Sequence, residues 1–301
     1  MAEAASGLPL PPALVASARR EGRGGWLATL PRTVARLARA WSLVVGAPFQ
    51  PGGQTAWVAP ARDHTGRERV LKIGWRHPEG EHEPDGLRVW AGHGAVRLHA
   101  SERTADTIAL LLERCRPGTP LAVRPEPEQD QDQDQDQVVA GLLRRLWILP
   151  PPSGFPFRPL REMADQWAAQ FDEQVAVRPD LVDPGLARDG MALFRALPAE
   201  ADQAVLLATD LHAGNVLAAQ REPWLMIDPK PYVGDPAYDA VQHLLNCAER
   251  LHADPTGLAD RMAGLLEVDA VRLRRWLFAR CVLEAPGDPA LAAVALRISI
   301  D

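Results

Sequence analysis

The sequence predicts an α+β chain, with a strand-rich first part over residues 1–115 and a mainly helical remainder over residues 116–301. Three observations point there. Between residues 50 and 115, short apolar runs are broken by Gly and Pro turns, whereas beyond residue 138 the apolar residues recur mostly at helical spacing. Strands precede helices without regular alternation, which argues against a parallel, doubly wound sheet. Three short apolar runs then return between Val205 and Ile227, inside the helical part.

The 301 residues suit one large or two modest domains, and 47% hydrophobic with 24% charged is ordinary for a soluble globular protein. A net charge of -6 argues against a nucleic-acid partner and suits a small cationic one. No apolar run approaches the roughly 18 residues of a membrane span. Glu3 and the prolines at 9, 11 and 12 do not fit a secretory leader. Cys115, Cys247 and Cys281 are odd in number and lack ligand spacing, as expected of reduced thiols in a cytoplasm. No obligate protein partner is inferred. Of 33 basic residues only Lys72 and Lys230 are lysines, both in motifs expected to bind phosphate, where a compact ammonium would resist replacement by arginine.

Taken in order, residues 1–12 are Pro-rich, terminal and expected to be disordered. Trp26 to Leu43 repeats apolar residues at three and four, an amphipathic helix with Pro31 as its one fault. Gly52 and Gly53 open a hairpin whose strands are residues 55–58 and 69–73, and Lys72 lies on the return strand. Residues 79–90 read as a short helix. Residues 96–99 and 107–112 read as strands, the second running into Glu113-Arg114-Cys115-Arg116 and a Pro-Gly turn. Residues 125–137 are of low complexity, with Asp and Gln alternating over 129–137 and no apolar residue there; they are expected to form a mobile surface insertion, and deleting Glu128 to Asp136 is expected to leave fold and activity intact. The segment lacks the turn glycine and oxygen spacing of a calcium loop. Helices follow over 138–147, 160–175 and 186–197. After Asp228, Asp235 reads as an N-cap with Pro236 at the first helical position and Asp239 in the first turn, and amphipathic helices follow over 257–267, 270–284 and 288–297.

The densest chemistry is VLLATDLHAGNVLAAQREPWLMIDPKPYVGDPAYDAVQ, residues 205–242. The apolar runs 205–208 and 216–219 read as short strands with a tight turn at Gly214. Between them stand Asp210 and Asn215, and the buried run 224–227 delivers Asp228. Two carboxylates and an amide leaving strand ends suit phosphoryl transfer. One carboxylate accepts a hydroxyl proton, while the amide oxygen and the second carboxylate hold the magnesium that neutralises nucleotide phosphates. His212 has no nucleophile near it in sequence and reads as a structural residue of the loop. No GxxxxGK[ST] occurs, which excludes a P-loop enzyme.

DLHAGN followed by IDPKP resembles the catalytic segment of the kinase-like aminoglycoside phosphotransferases. REPWLMIDPKPYVGDPAYDAVQHLLN resembles in particular their streptomycin 6-kinase and aminoglycoside/hydroxyurea resistance branch. Protein kinases carry Arg before the first Asp and Phe-Gly after the second. Here Thr209 and Pro229-Lys230 stand there, so the likeness is not to the protein-substrate type. The resemblance implies a protein-kinase-like bilobal fold, with ATP and Mg2+ in the cleft between a small β-rich lobe and a larger helical one. It implies Asp210 as catalytic base and Asn215 and Asp228 as metal ligands. By the same likeness Gly52 and Gly53 cover the phosphates, Lys72 reaches them, and Glu83, preferred to Glu81 and Glu79, orients Lys72. The Glu113 carbonyl and Cys115 amide would bind adenine. The implied acceptor is a cationic aminoglycoside, streptomycin above all. A kinase of another small metabolite and a catalytically inert nucleotide binder remain open, and the intact Lys72, Asp210, Asn215 and Asp228 speak against the second.

Overall fold

A computed structural model describes residues 7–124, 134–151 and 153–300. The chain divides into two units, residues 1–92 with 96–116, and residues 93–95 with 117–301.

The first unit is an antiparallel five-stranded sheet backed by two helices, α1 (Pro12–Arg20) and α2 (Gly24–Ala40). Its strands are β1 (Val44–Val45), β2 (Ala56–Arg62), β3 (Glu68–Trp75), β4 (Leu98–Arg103) and β5 (Thr107–Glu113), in the order β1-β2-β3-β5-β4, and helix α3 (Glu83–Trp90) lies between β3 and β4 in the chain. The alternation of the strands decides which face the helices cover. Trp57, Ala59 and Ala61 of β2, Leu71, Ile73 and Trp75 of β3, and Ala109 and Leu111 of β5 join Leu30, Val34 and Leu37 of α2 in one buried cluster. Lys72, between Leu71 and Ile73, therefore points to the opposite face. Two indoles fasten the helical layer: Trp26 Nε1 donates to Thr107 Oγ1 at 3.0 Å, and Trp57 Nε1 to the Pro9 carbonyl at 3.0 Å. Helix α2 runs through Pro31, which forfeits one backbone bond without ending it.

The second unit is mainly helical. Its helices are α4 (Gln135–Leu146), α5 (Leu160–Val177), α6 (Pro184–Ala196), α7 (Pro236–Asp239), α8 (Val241–Asn246), α9 (Ala248–Ala253), α10 (Pro255–Leu266), α11 (Ala270–Glu284) and α12 (Ala290–Ala295). Helix α11 is the hub: every residue from Trp276 to Val282 is buried, so it is covered all round rather than amphipathic as its sequence suggested. Gly190 of α6 is required there, because a Cβ at that position would come within 2.6 Å of Val282. Four short strands form two separate pairs. β6 (Val205–Leu207) pairs with β9 (Tyr232–Gly234), and β7 (Val216–Ala218) with β8 (Trp224–Met226).

Two expectations need correction. Residues 1–6 lie outside the described residues, but 7–11 are ordered by contacts: Leu8 and Leu10 pack on the core and the Pro9 carbonyl serves Trp57. Of the Asp-Gln tract, residues 125–133 lie outside the described residues, whereas 134–137 are not a mobile insertion. Asp134 and Gln137 form a capping box that starts α4, and Asp136 is fully buried. The short strands at 205 and 216 stand as expected, with a tight 3-10 turn at 213–215 between them, and each finds its partner later in the chain.

Candidate active site

The loop after β6 is held from below by a residue read as structural from sequence. Asp239, fully buried in α7, accepts from the Ala208 amide at 3.0 Å, the Thr209 amide at 2.6 Å and Trp147 Nε1 at 3.0 Å. Burial pushes its carboxyl up to about 6, against the pull of those donors. The bonds fix Thr209 at φ +52°, a left-handed conformation that a β-branched residue adopts only when its surroundings impose it. The Thr209 hydroxyl donates to the Lys230 carbonyl, and the Lys230 amide to the Ala208 carbonyl at 2.9 Å. Asp210 thus leaves the strand from a backbone tied on both sides.

Asp210 and Asn215 meet as their spacing suggested. Asn215 Nδ2 donates to the Asp210 carbonyl at 2.9 Å and lies 3.4 Å from Asp210 Oδ2. The Ile227 amide donates to the Asn215 carbonyl at 2.8 Å, so Asp228, one residue on, enters the same region. Asp228 is itself left-handed, at φ +53°. His212 caps the short 3-10 turn 213–215, with Nδ1 accepting from the Gly214 amide at 3.1 Å. Burial lowers its imidazole, while Asp210 pulls it upward, which makes it a neutral acceptor that shapes the loop. Lys230, expected from the sequence only to lie in a phosphate-binding motif, forms an ion pair with Asp210 through Nζ and Oδ2. Its signal in the sequence was there: it is one of two lysines among 33 basic residues.

In the first unit, Lys72 Nζ lies 2.8 and 2.7 Å from the two Glu83 oxygens, with both side chains largely buried. Glu81 is held by Arg76 and Glu79 lies beside His77. Pro84 suits the first turn of α3, where its missing N–H has no partner to lose. Gly52 has φ +78°, and a Cβ there would come within 2.5 Å of Pro11; Gly53 has ordinary space. Glu113 ends β5 opposite Arg69, its amide and a carboxylate oxygen bonded to the backbone of Arg97. Cys115 is buried just beyond it.

The donor set at Asn215 and Asp228 is all oxygen, as a hard divalent cation prefers. A second cluster does not fit a metal. Asp136, His243 and Cys247 lie within 4.8 Å of one another, but Arg250 and Arg261 both hold the Asp136 carboxylate and would repel a cation. The Asp136 carboxyl is held well below the usual range, burial being outweighed by Arg250 and His243. Burial likewise works against the His243 imidazolium, yet Asp136 brings it up to about 9. That is a buried ion network.

A family model described as aminoglycoside/hydroxyurea antibiotic resistance kinase matches residues 41–287. A hydroxyurea phosphotransferase of Kitasatospora aureofaciens is 38% identical over 254 residues, 84% of this chain and 71% of that protein. A streptomycin 6-kinase of Streptomyces glaucescens is 33% identical over 288 residues, 93% of this chain and 90% of its own length. Among solved structures, a macrolide 2′-phosphotransferase from Brachybacterium faecium superposes with a TM-score of 0.55 at 17% identity, covering 90% of this chain and 98% of its own. A choline/ethanolamine kinase family protein from Mesorhizobium loti gives 0.57 at 14% identity, over 89% and 92%. At such identities these structures establish the fold, which is protein-kinase-like: a β-rich N-terminal part and a larger helical C-terminal part.

Proposed function

This chain belongs to the aminoglycoside/hydroxyurea antibiotic resistance kinases, phosphotransferases with small-molecule acceptors, and from that premise we propose that it moves the γ-phosphate of ATP to a hydroxyl of streptomycin. The observation that carries the reading is the loop at the end of β6. There an acid, an amide and a second acid are gathered on a backbone braced by Asp239. Asp210 accepts the proton of the acceptor hydroxyl. Asn215 Oδ1 and the Asp228 carboxylate would hold magnesium, which would supply positive charge to offset that of the phosphates. Lys72, fixed by Glu83, binds the phosphates beneath the backbone of Gly52 and Gly53, and the Glu113 carbonyl and Cys115 amide take the adenine edge. A net charge of -6 favours a cationic acceptor.

The 38% identity to a hydroxyurea phosphotransferase supports a second acceptor of different chemistry, small and uncharged. The two readings separate in one assay. Purified protein is given Mg-ATP with streptomycin, hydroxyurea or kanamycin, and products are read by mass spectrometry. Phosphorylated streptomycin with little kanamycin product is expected, the 2-deoxystreptamine ring presenting ammonium groups in a different pattern. A product from hydroxyurea alone would move the function to the second acceptor. No product from any of the three would leave a kinase of another metabolite.

A further inference from the structure

Resting on that kinase reading, we propose that Lys230 is a positioning residue: it grips one oxygen of the Asp210 carboxylate and so assigns proton acceptance to the other. The geometry is specific. Lys230 Nζ pairs with Asp210 Oδ2, and the secondary contact from Asn215 Nδ2, at 3.4 Å, falls on Oδ2 as well. Among the described residues no donor reaches Oδ1. A carboxylate otherwise turns about its last torsion, which has a broad profile. With both donors on one side, it is held with Oδ1 presented.

The lysine is itself placed by backbone rather than by its long side chain. Its amide donates to Ala208 and its carbonyl accepts from Thr209, the two residues immediately before Asp210. A short closed circuit therefore joins the two charges. An ammonium suits the task where a guanidinium does not, because the planar fork of arginine grips both carboxylate oxygens and would cover Oδ1. That accounts for a lysine surviving here in a chain that otherwise uses arginine for nearly every positive charge. In the reaction Asp210 Oδ1 takes the hydroxyl proton. The O–H electron pair goes to the new O–P bond, and the pair of the broken P–O bond leaves on the diphosphate product.

Because Lys230 acts through Asp210, the two substitutions should not multiply. Lys230→Ala is expected to lower kcat by roughly 10², with the Kd for Mg-ATP, measured by calorimetry without acceptor, changed by less than about threefold. The double variant Lys230→Ala/Asp210→Asn should be no slower than Asp210→Asn alone. A zero-length carbodiimide should join Lys230 to Asp210 in the parent protein, seen as a peptide pair lighter by one water, and fail in Asp210→Asn. Near-parent turnover of Lys230→Ala overturns the proposal. So does a double variant slower in proportion to both singles, a roughly tenfold loss of Mg-ATP affinity, which would make the lysine a nucleotide ligand, or no cross-link. The cross-link needs no turnover: a parent protein that phosphorylates none of the three acceptors overturns the choice of acceptor, and the cross-link still judges the pair.

Discussion

Asp239 governs where Asp210 points without touching it. Its two oxygens gather three N–H groups, two of them from the residues just before Asp210. In Asp239→Asn the amide would turn an NH2 toward donors and leave at least one buried N–H unmet, at a cost of about 1–3 kcal/mol for each. We expect a lower urea midpoint and a loss of kcat out of proportion to the loss of stability, because Thr209 no longer has a reason to stay left-handed. Asp210→Asn should behave differently: about 10² or more lost from kcat, with urea midpoint and Mg-ATP affinity close to the parent. A near-normal rate in that variant would remove Asp210 from the role of base.

Among the elements, the start of α4 carries more than its composition promised. Asp136 is buried against His243, Arg250 and Arg261, drawn from α8, α9 and α10, while Asp134 binds Arg261 from the cap. Asp136→Asn would leave two guanidiniums and an imidazolium without their central counter-charge, a loss of about 3–5 kcal/mol. Deleting residues 134–137 should prevent folding, in contrast to the harmless loss expected of a polar insertion. The network also sets a pH dependence. The folded His243 titrates near 9, above the unfolded value near 6.5, so its stabilisation is complete below about 6.5 and is lost as pH rises through about 9. Urea unfolding of the parent should show that decline, and His243→Gln should flatten it. These failures and successes of the sequence have one physical origin. DLHAGN was legible because its spacing is local and its strands are apolar. Asp136 was not, because its partners lie more than 100 residues away and a Gln-Asp alternation looks the same whether solvated or buried. Asp239 was likewise placed in its helix correctly, but no local pattern announces that a first-turn acid faces a loop 30 residues earlier. Helix α11 misled through its arginines, of which Arg280 is buried against Tyr238 and Glu284.

At the scale of the whole molecule, the sequence divided the chain at residue 115, from the run of strands before it and the Pro-Gly turn after it. The β-rich and helical parts both follow from where apolar residues alternate and where they recur at three and four. The family model, by contrast, begins at residue 41 and leaves out the two helices before it. Those helices cover Trp57, Leu71, Ile73 and Trp75, and the segment ahead of them presses Pro11 against Gly52. A chain begun at residue 41 would keep every residue of the candidate site and yet uncover one face of the sheet that holds Lys72. We expect it to aggregate on expression, and the full chain to stay monodisperse by light scattering. The glycine loop should also be sensitive to what is attached upstream, since Pro11 is its floor. A bulky group attached at residue 7 should therefore disturb nucleotide affinity before it disturbs anything at Asp210.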